Sequence, residues 1–155
     1  MYKKVVFFAL FTLIAKLSAG QVDKLKEITP QIEFSRDTFY IGQVMAQRMK
    51  IDYTTVGMNK AIQEMSSAYD QLLNKYYNRL LKLLKPQDKA TLVTAQKAWL
   101  QFRDTESKLI RTLSKDEYSG GGTIQSNIVA SAYAELVVKR CIDIFNYYDN
   151  IEKVN

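Results

Sequence analysis

From Met58 to Lys85 the apolar positions recur in steps of three and four: Ile62, Met65, Tyr69, Leu72, Tyr76, Leu80 and Leu83. Residues so spaced share one face of a 3.6-residue helix, so the stripe predicts a long amphipathic helix with heptad character. At its ordinary rise such a helix is about 40 Å long. Lys85-Pro86 closes it. Pro86 suits the first turn of the next helix, where its missing N–H would have no helical partner. That second helix is expected to run to Ser114, with Leu92, Ala95, Trp99, Phe102, Leu109 and Leu113 facing inward. The stretch "SGGGT", Ser119 to Thr123, is the clearest break in the chain. Thr123 then caps a third helix reaching about Tyr148, whose apolar arc includes Val129, Ala132, Tyr133, Leu136, Val137, Ile144 and Tyr147. No strand-like alternation competes with these three segments.

Upstream the pattern weakens. Gln21 to Phe34 has little periodicity, and Pro30 argues for an irregular or extended opening. Ser35 is a candidate cap for a helix beginning near Asp37, with Phe39, Val44 and Met45 inward and Gly42 against it. "IDYTTVG", Ile51 to Gly57, reads as a short connection. Short connections between long amphipathic helices favour antiparallel neighbours. The expected fold is therefore all-α: an antiparallel three-helix bundle with a short additional N-terminal helix.

The first 20 residues read differently. Lys3 and Lys4 precede an apolar run, Val5 to Ala15, that suits a signal-peptide core and is too short to span a bilayer. Ser18, Ala19 and Gly20 supply small residues for cleavage after Gly20, with Ala19 as the rival. Gln21 stands where a lipoprotein signal needs Cys, so no lipid anchor is expected. The expected organisation is a signal peptide over 1–20, an extension with a short helix over 21–52, and a helical domain over 53–150. The expected location is exported, periplasmic or secreted.

Charge and cysteine content narrow the partners. The formal charge of +6 loses three lysines with the leader, leaving a mildly basic +3. No run of five or six like charges exists, and no nucleic-acid partner is expected. Cys141 is the single cysteine, so stability rests on the core rather than on an internal disulfide. It reads as a buried thiol, the sharper alternative being an intermolecular disulfide.

Three polar features interrupt the stripes. Glu106 lies seven residues after Trp99, inside the apolar stripe, and Arg140 lies in the arc of the third helix. A buried charge is costly unless paired, so Glu106 is expected to meet Arg140, with Arg103 as a second donor. This polar cluster would lock helices together, the alternative being a ligand-binding carboxylate. Trp99 is the expected core anchor between helices. Asp70, Asn74 and Asn78 recur every four residues beside the first stripe. They read as a solvated face, or Asn74 reaches Arg103 or Gln96.

Catalytic chemistry is thin. The chain has no His, which removes the commonest general base and metal ligand. "SGGGT" lacks the Lys-Ser/Thr and preceding strand of a phosphate loop, and Cys141 has no His to activate it. No enzyme activity, cofactor or metal is expected.

The segments "YTTVGMNKAIQEMSSAYDQLLNKYYNRLLKLL", "AQKAWLQFRDTE" and "GGTIQSNIVASAYAELVVKR" together resemble the LprI-like lysozyme inhibitor family. The resemblance covers about Tyr53 to Tyr148. It rests on Gly57-Met58-Asn59, on Asp70, Leu73-Asn74 and Tyr77, and on Ala95-Gln96 with Ala98-Trp99 and Phe102-Arg103-Asp104. Gly121-Gly122-Thr123 and Leu136 with Arg140 complete it. It implies an exported, helical, non-enzymatic domain whose partner is a lysozyme or another envelope protein. Family members commonly carry Cys at positions resembling Ala61, Ser107 and Ala132, so the disulfides those could form are absent here. Many animal lysozymes are strongly basic, and a candidate acidic docking patch is Asp23, Glu27, Glu33 and Asp37. A non-inhibitory adaptor for an envelope protein or glycan is the competing reading.

Overall fold

The structure, a computed structural model, describes residues 28–154; the expected leader lies outside them. The chain divides into two compact units, 1–33 and 34–155. The described part of the first unit is Ile28 to Glu33, and it contains a helix start. Thr29 Oγ1 accepts from the Ile32 N–H at 3.4 Å, and Pro30 is the first helical residue. The helix α1 runs Pro30–Ile51 and is 22 residues long, so the N-terminal helix is not short. Pro30, expected to keep the chain irregular, opens the helix instead, because an N–H is dispensable in the first turn.

Within the second unit, the described residues hold α2 (Thr55–Leu83), α3 (Pro86–Leu113), the single turn α4 (Asp116–Ser119) and α5 (Ile124–Glu152). These match the three long helices expected from periodicity. Asp52 Oδ1 accepts from both the backbone N–H and the hydroxyl of Thr54, and Thr54 Oγ1 accepts from the Gly57 N–H at 3.1 Å. The two linked turns start α2. The backbone must pass close here: a Cβ on Gly57 would fall 2.5 Å from the Asp52 carbonyl oxygen. Lys85 in extended conformation followed by Pro86 starts α3, as the sequence indicates. At the other turn Gly120, Gly121 and Gly122 all take positive φ (75°, 80° and 97°), which only glycine adopts freely.

The closest helix pair is α2 with α5. They run parallel: Asn59 bonds to Ser126 and Asn127 near both N-termini, and Tyr76 packs on Phe145 and Tyr148 near both C-termini. Steps of seven from Asn59 give Ser66, Leu73 and Leu80; steps of seven from Asn127 give Ala134, Cys141 and Tyr148. All six are buried. That is a heptad seam, and its small residues let the two helices approach closely. Helix α3 runs antiparallel to α5, since Arg140 meets Gln96 while Arg103 meets Tyr133. Helix α1 runs antiparallel to α2, with Asp37 on Lys75 and Arg48 on Glu64.

The core gathers at one end, around Leu73, Tyr76, Leu80, Leu92, Ile144 and Tyr148. Phe34 stacks on Phe145 with centroids 3.9 Å apart, and Ile41 is buried beside them. Phe39, expected inward, is 67% exposed, because the inward face of this part of α1 is set by Phe34 and Ile41, one helical repeat of seven apart. Cys141 is fully buried, which leaves no room for an intermolecular disulfide. Burial pushes its thiol up to about 12, with a smaller contribution from Asp70.

Candidate functional site

Helix α3 departs most from its expected orientation. Its inward face includes Leu92, Gln96, Trp99, Arg103, Ser107 and Ile110 and continues to Ser114 at its C-cap, in steps of three and four. In the C-terminal half that face is mainly polar. Phe102, Leu109 and Leu113, expected inward, are 50%, 50% and 53% exposed. Residues seven and eleven apart lie nearly in line on a helix, so these three form one outward apolar ridge. Tyr118, Ile124 and Ile128 add exposed apolar surface near the same end of the domain.

The polar face inside α3 has two parts. The first is a ladder of charges and rings. The Arg140 guanidinium lies 5.8 Å from the Trp99 ring centroid and donates to Gln96 Oε1 at 3.0 Å. Arg103 lies 5.4 Å from Trp99 and 5.6 Å from Tyr133, and both its Nε and an Nη donate to Asp104 Oδ1. Trp99 is half-buried rather than enclosed, packed against the core below the two guanidinium groups.

The expected Glu106–Arg140 pair does not form. The helical wheel placed both on facing sides, but a wheel says nothing about height. In the antiparallel register Arg140 is level with Gln96, ten residues from Glu106, or about 15 Å along the axis. Glu106 is half-buried and has no ion-pair partner among the described residues. Asn74 stays on its own helix, donating to Asp70 Oδ2 at 3.3 Å, and joins neither Arg103 nor Gln96. Of the four residues expected in one cluster, only Arg103 and Arg140 come together, both against the Trp99 ring.

The second part is a cleft of about 820 Å³ between α2, α3 and α5. Asn59 and Gln63 line it from α2, Ser107, Arg111 and Ser114 from the α3 side, and Ser126 and Tyr133 from α5, with Lys115 beside them. No carboxylate lines it. Its edge is held by a relay: Asn127 Nδ2 donates to Asn59 Oδ1, Asn59 Nδ2 to Ser126 Oγ, and Ser126 Oγ to the Thr123 carbonyl. Sequence reasoning missed this relay. The available signal was the placement of Asn59 and Asn127 at the heads of two seven-residue series of otherwise core-forming residues.

The candidate acidic patch is only partly within view. Asp23 and Glu27 lie outside the described residues. Glu33 sits in the first turn of α1. Asp37 accepts from Lys75 Nζ at 2.6 Å, with Arg36 at 3.6 Å, so cations already offset its charge.

Among the described residues there is no cluster of metal-ligating side chains, and no helix is long and apolar enough to cross a membrane. What the geometry does offer is an all-helical scaffold that turns an apolar ridge outward and keeps a cleft open between its helices. Residues 46–144 match the family model "Lysozyme inhibitor LprI", and the chain belongs to that family. No curated protein and no solved structure matches it.

Proposed function

We propose that the protein is exported and binds a lysozyme, inhibiting it by direct protein–protein contact through the end of the domain that carries Phe102, Leu109 and Leu113. The observation that supports this reading is the ridge itself in a chain of the LprI family. Three large apolar side chains aligned on one helix face and half exposed are a contact surface, since folding alone would favour turning them inward. The leader-like run from Val5 to Ala15 supports export.

A non-inhibitory envelope adaptor is the second reading, favoured by charge. With a formal +3 after removal of the leader and Asp37 neutralised by Lys75, long-range attraction to a basic lysozyme is weak. Contact through the ridge would then depend on apolar burial and tolerate salt.

The test is a pull-down of purified protein against lysozymes of several classes, followed by a lytic assay on whatever binds. Leu109→Asp and Leu113→Asp place charges on an exposed face and should leave stability within about 0.5 kcal/mol. They should abolish binding and restore lysis. Binding without inhibition would select the adaptor reading, and ridge variants that inhibit like the parent would move the contact elsewhere.

A further inference from the structure

The cleft between α2, α3 and α5 plays no part in contact through the ridge, which lies on the opposite side of α3. At about 820 Å³ it has the size of a small-molecule site. Its chemistry is selective in two ways.

The first is charge. Arg111 and Lys115 line a cleft without a carboxylate. Arg111 has no ion-pair partner among the described residues, and the nearest carboxylate oxygen to Lys115 is Glu117 Oε1 at 4.0 Å, with both side chains about 60% exposed. An unpaired guanidinium beside an ammonium whose carboxylate stands off at 4.0 Å favours an anion, and a guanidinium matches a carboxylate through two parallel hydrogen bonds.

The second is the direction of the remaining hydrogen bonds. Ser107 Oγ donates to the Arg103 carbonyl at 2.6 Å and Ser114 Oγ to the Ile110 carbonyl at 2.9 Å. Each hydroxyl has one hydrogen, already used within its own helix, so each can offer a ligand only an acceptor. Acceptors fixed in this way call for O–H or N–H donors on the ligand. Asn59 and Ser126 are held by the relay with Asn127 and stand ready on the facing wall. Val129, Ala130 and Tyr133 complete the lining with apolar surface.

A ligand that carries hydroxyl donors and a carboxylate together satisfies both demands. We propose that the cleft binds a carboxylated sugar of the uronic-acid class, with Arg111 and Lys115 on the carboxylate and Ser107 and Ser114 accepting from its hydroxyls. The assignment is independent of lysozyme binding, and either can fail while the other holds.

The test is a titration of the ¹⁵N-labelled protein with digalacturonic acid, neutral galactobiose, acetate and inorganic phosphate, read from amide shifts. Digalacturonic acid should shift the Ser107 and Ser126 amides saturably, with Kd near or below about 1 mM. Galactobiose, acetate and phosphate should each bind at least about tenfold more weakly. Arg111→Gln should lose at least about tenfold for the acid and nothing for galactobiose, and Arg111→Lys should retain part of the affinity. Ser107→Ala, nearly isosteric, should weaken both sugars. Thermal melts of each variant separate these effects from unfolding. The proposal is overturned if the acid and neutral sugars bind equally, if phosphate equals the sugar acid, if Arg111→Gln changes nothing, or if no shift saturates.

Discussion

The Asn59–Asn127 pair gives an asymmetric prediction. Asn127 is 8% exposed; its Nδ2 donates to Asn59 Oδ1 at 3.1 Å, and its own Oδ1 has no donor. Asn59 is only half-buried and also donates to Ser126. Replacing either with Leu gains about 0.5 kcal/mol of helix propensity, a contribution common to both variants. Beyond that they diverge. Asn59→Leu strands the whole Asn127 amide in the seam, and an unmet buried donor costs about 1–3 kcal/mol. Asn127→Leu removes an acceptor that is already unmet and leaves Asn59 within reach of water. It should therefore be neutral or stabilising by up to about 1 kcal/mol. The double variant should recover most of the loss. Urea denaturation at constant m provides the measurement. Equal costs for the two single variants, or a double variant as unstable as Asn59→Leu, would refute the view that this bond matters because Asn127 is buried. The pair should also fix register, as a lone buried Asn does in parallel coiled coils. The double variant is then expected to broaden amide signals along α2 and α5 even where it is more stable.

Three further outcomes follow from the geometry. Arg140→Ala loses its bond to Gln96 and its place over Trp99 and should cost about 1.5–3 kcal/mol, whereas Glu106→Ala should stay within about 0.5 kcal/mol; the reverse ranking in urea melts would restore the Glu106–Arg140 pair. Gly57→Ala should destabilise by about 1–3 kcal/mol despite alanine's better helix propensity, because its Cβ meets the Asp52 backbone; a stabilised variant would show that the turn can yield. Cys141 binds its proton more tightly when folded, from an ordinary value of 9.0 up to about 12, so its contribution is complete below the unfolded value and is lost as pH rises through the folded one. The parent should therefore lose up to about 4 kcal/mol relative to Cys141→Ala across that window, and a pH-independent difference between the two would contradict a protected thiol.

The legibility of this fold varies from helix to helix. Helix α2 was readable because Ile62, Leu72, Tyr76 and Leu80 are both apolar and buried. Helix α5 is legible at Val137 and Ile144, which are fully buried, but not at its end: Tyr147 is 52% exposed, while Tyr148 and Phe145 are inside. The reason is that Ala134 and Cys141 carry the α2 contact, and small residues contribute little to an apolar count. Pro30 is ambiguous because the same residue can end an element or begin one, and Thr29 decides between them. Register was the deeper obstacle. Glu106 and Arg140 share the correct angular sector, but which residues stand level depends on how α3 and α5 slide together, and angular periodicity is blind to sliding.

Helix α3 carries that argument into function. A stripe of Leu92, Trp99, Phe102, Leu109 and Leu113 reads as one core face, yet only Leu92 is buried, Trp99 is half-buried, and the last three face outward. An apolar face records that a helix meets something apolar; it does not record whether the partner belongs to the same chain. The discriminating information lies on the other side of the helix, where Gln96, Arg103, Ser107 and Ser114 are too polar for a solvent-free interior unless each has a hydrogen bond. Each of them has one: Gln96 from Arg140, Arg103 to Asp104, and Ser107 and Ser114 to their own backbone. With those bonds made, the polar face can turn inward and the ridge becomes free to meet a partner. The polar ladder in "AQKAWLQFRDTES" therefore orients α3, and in the proposed mechanism it is what exposes the docking surface without forming part of it.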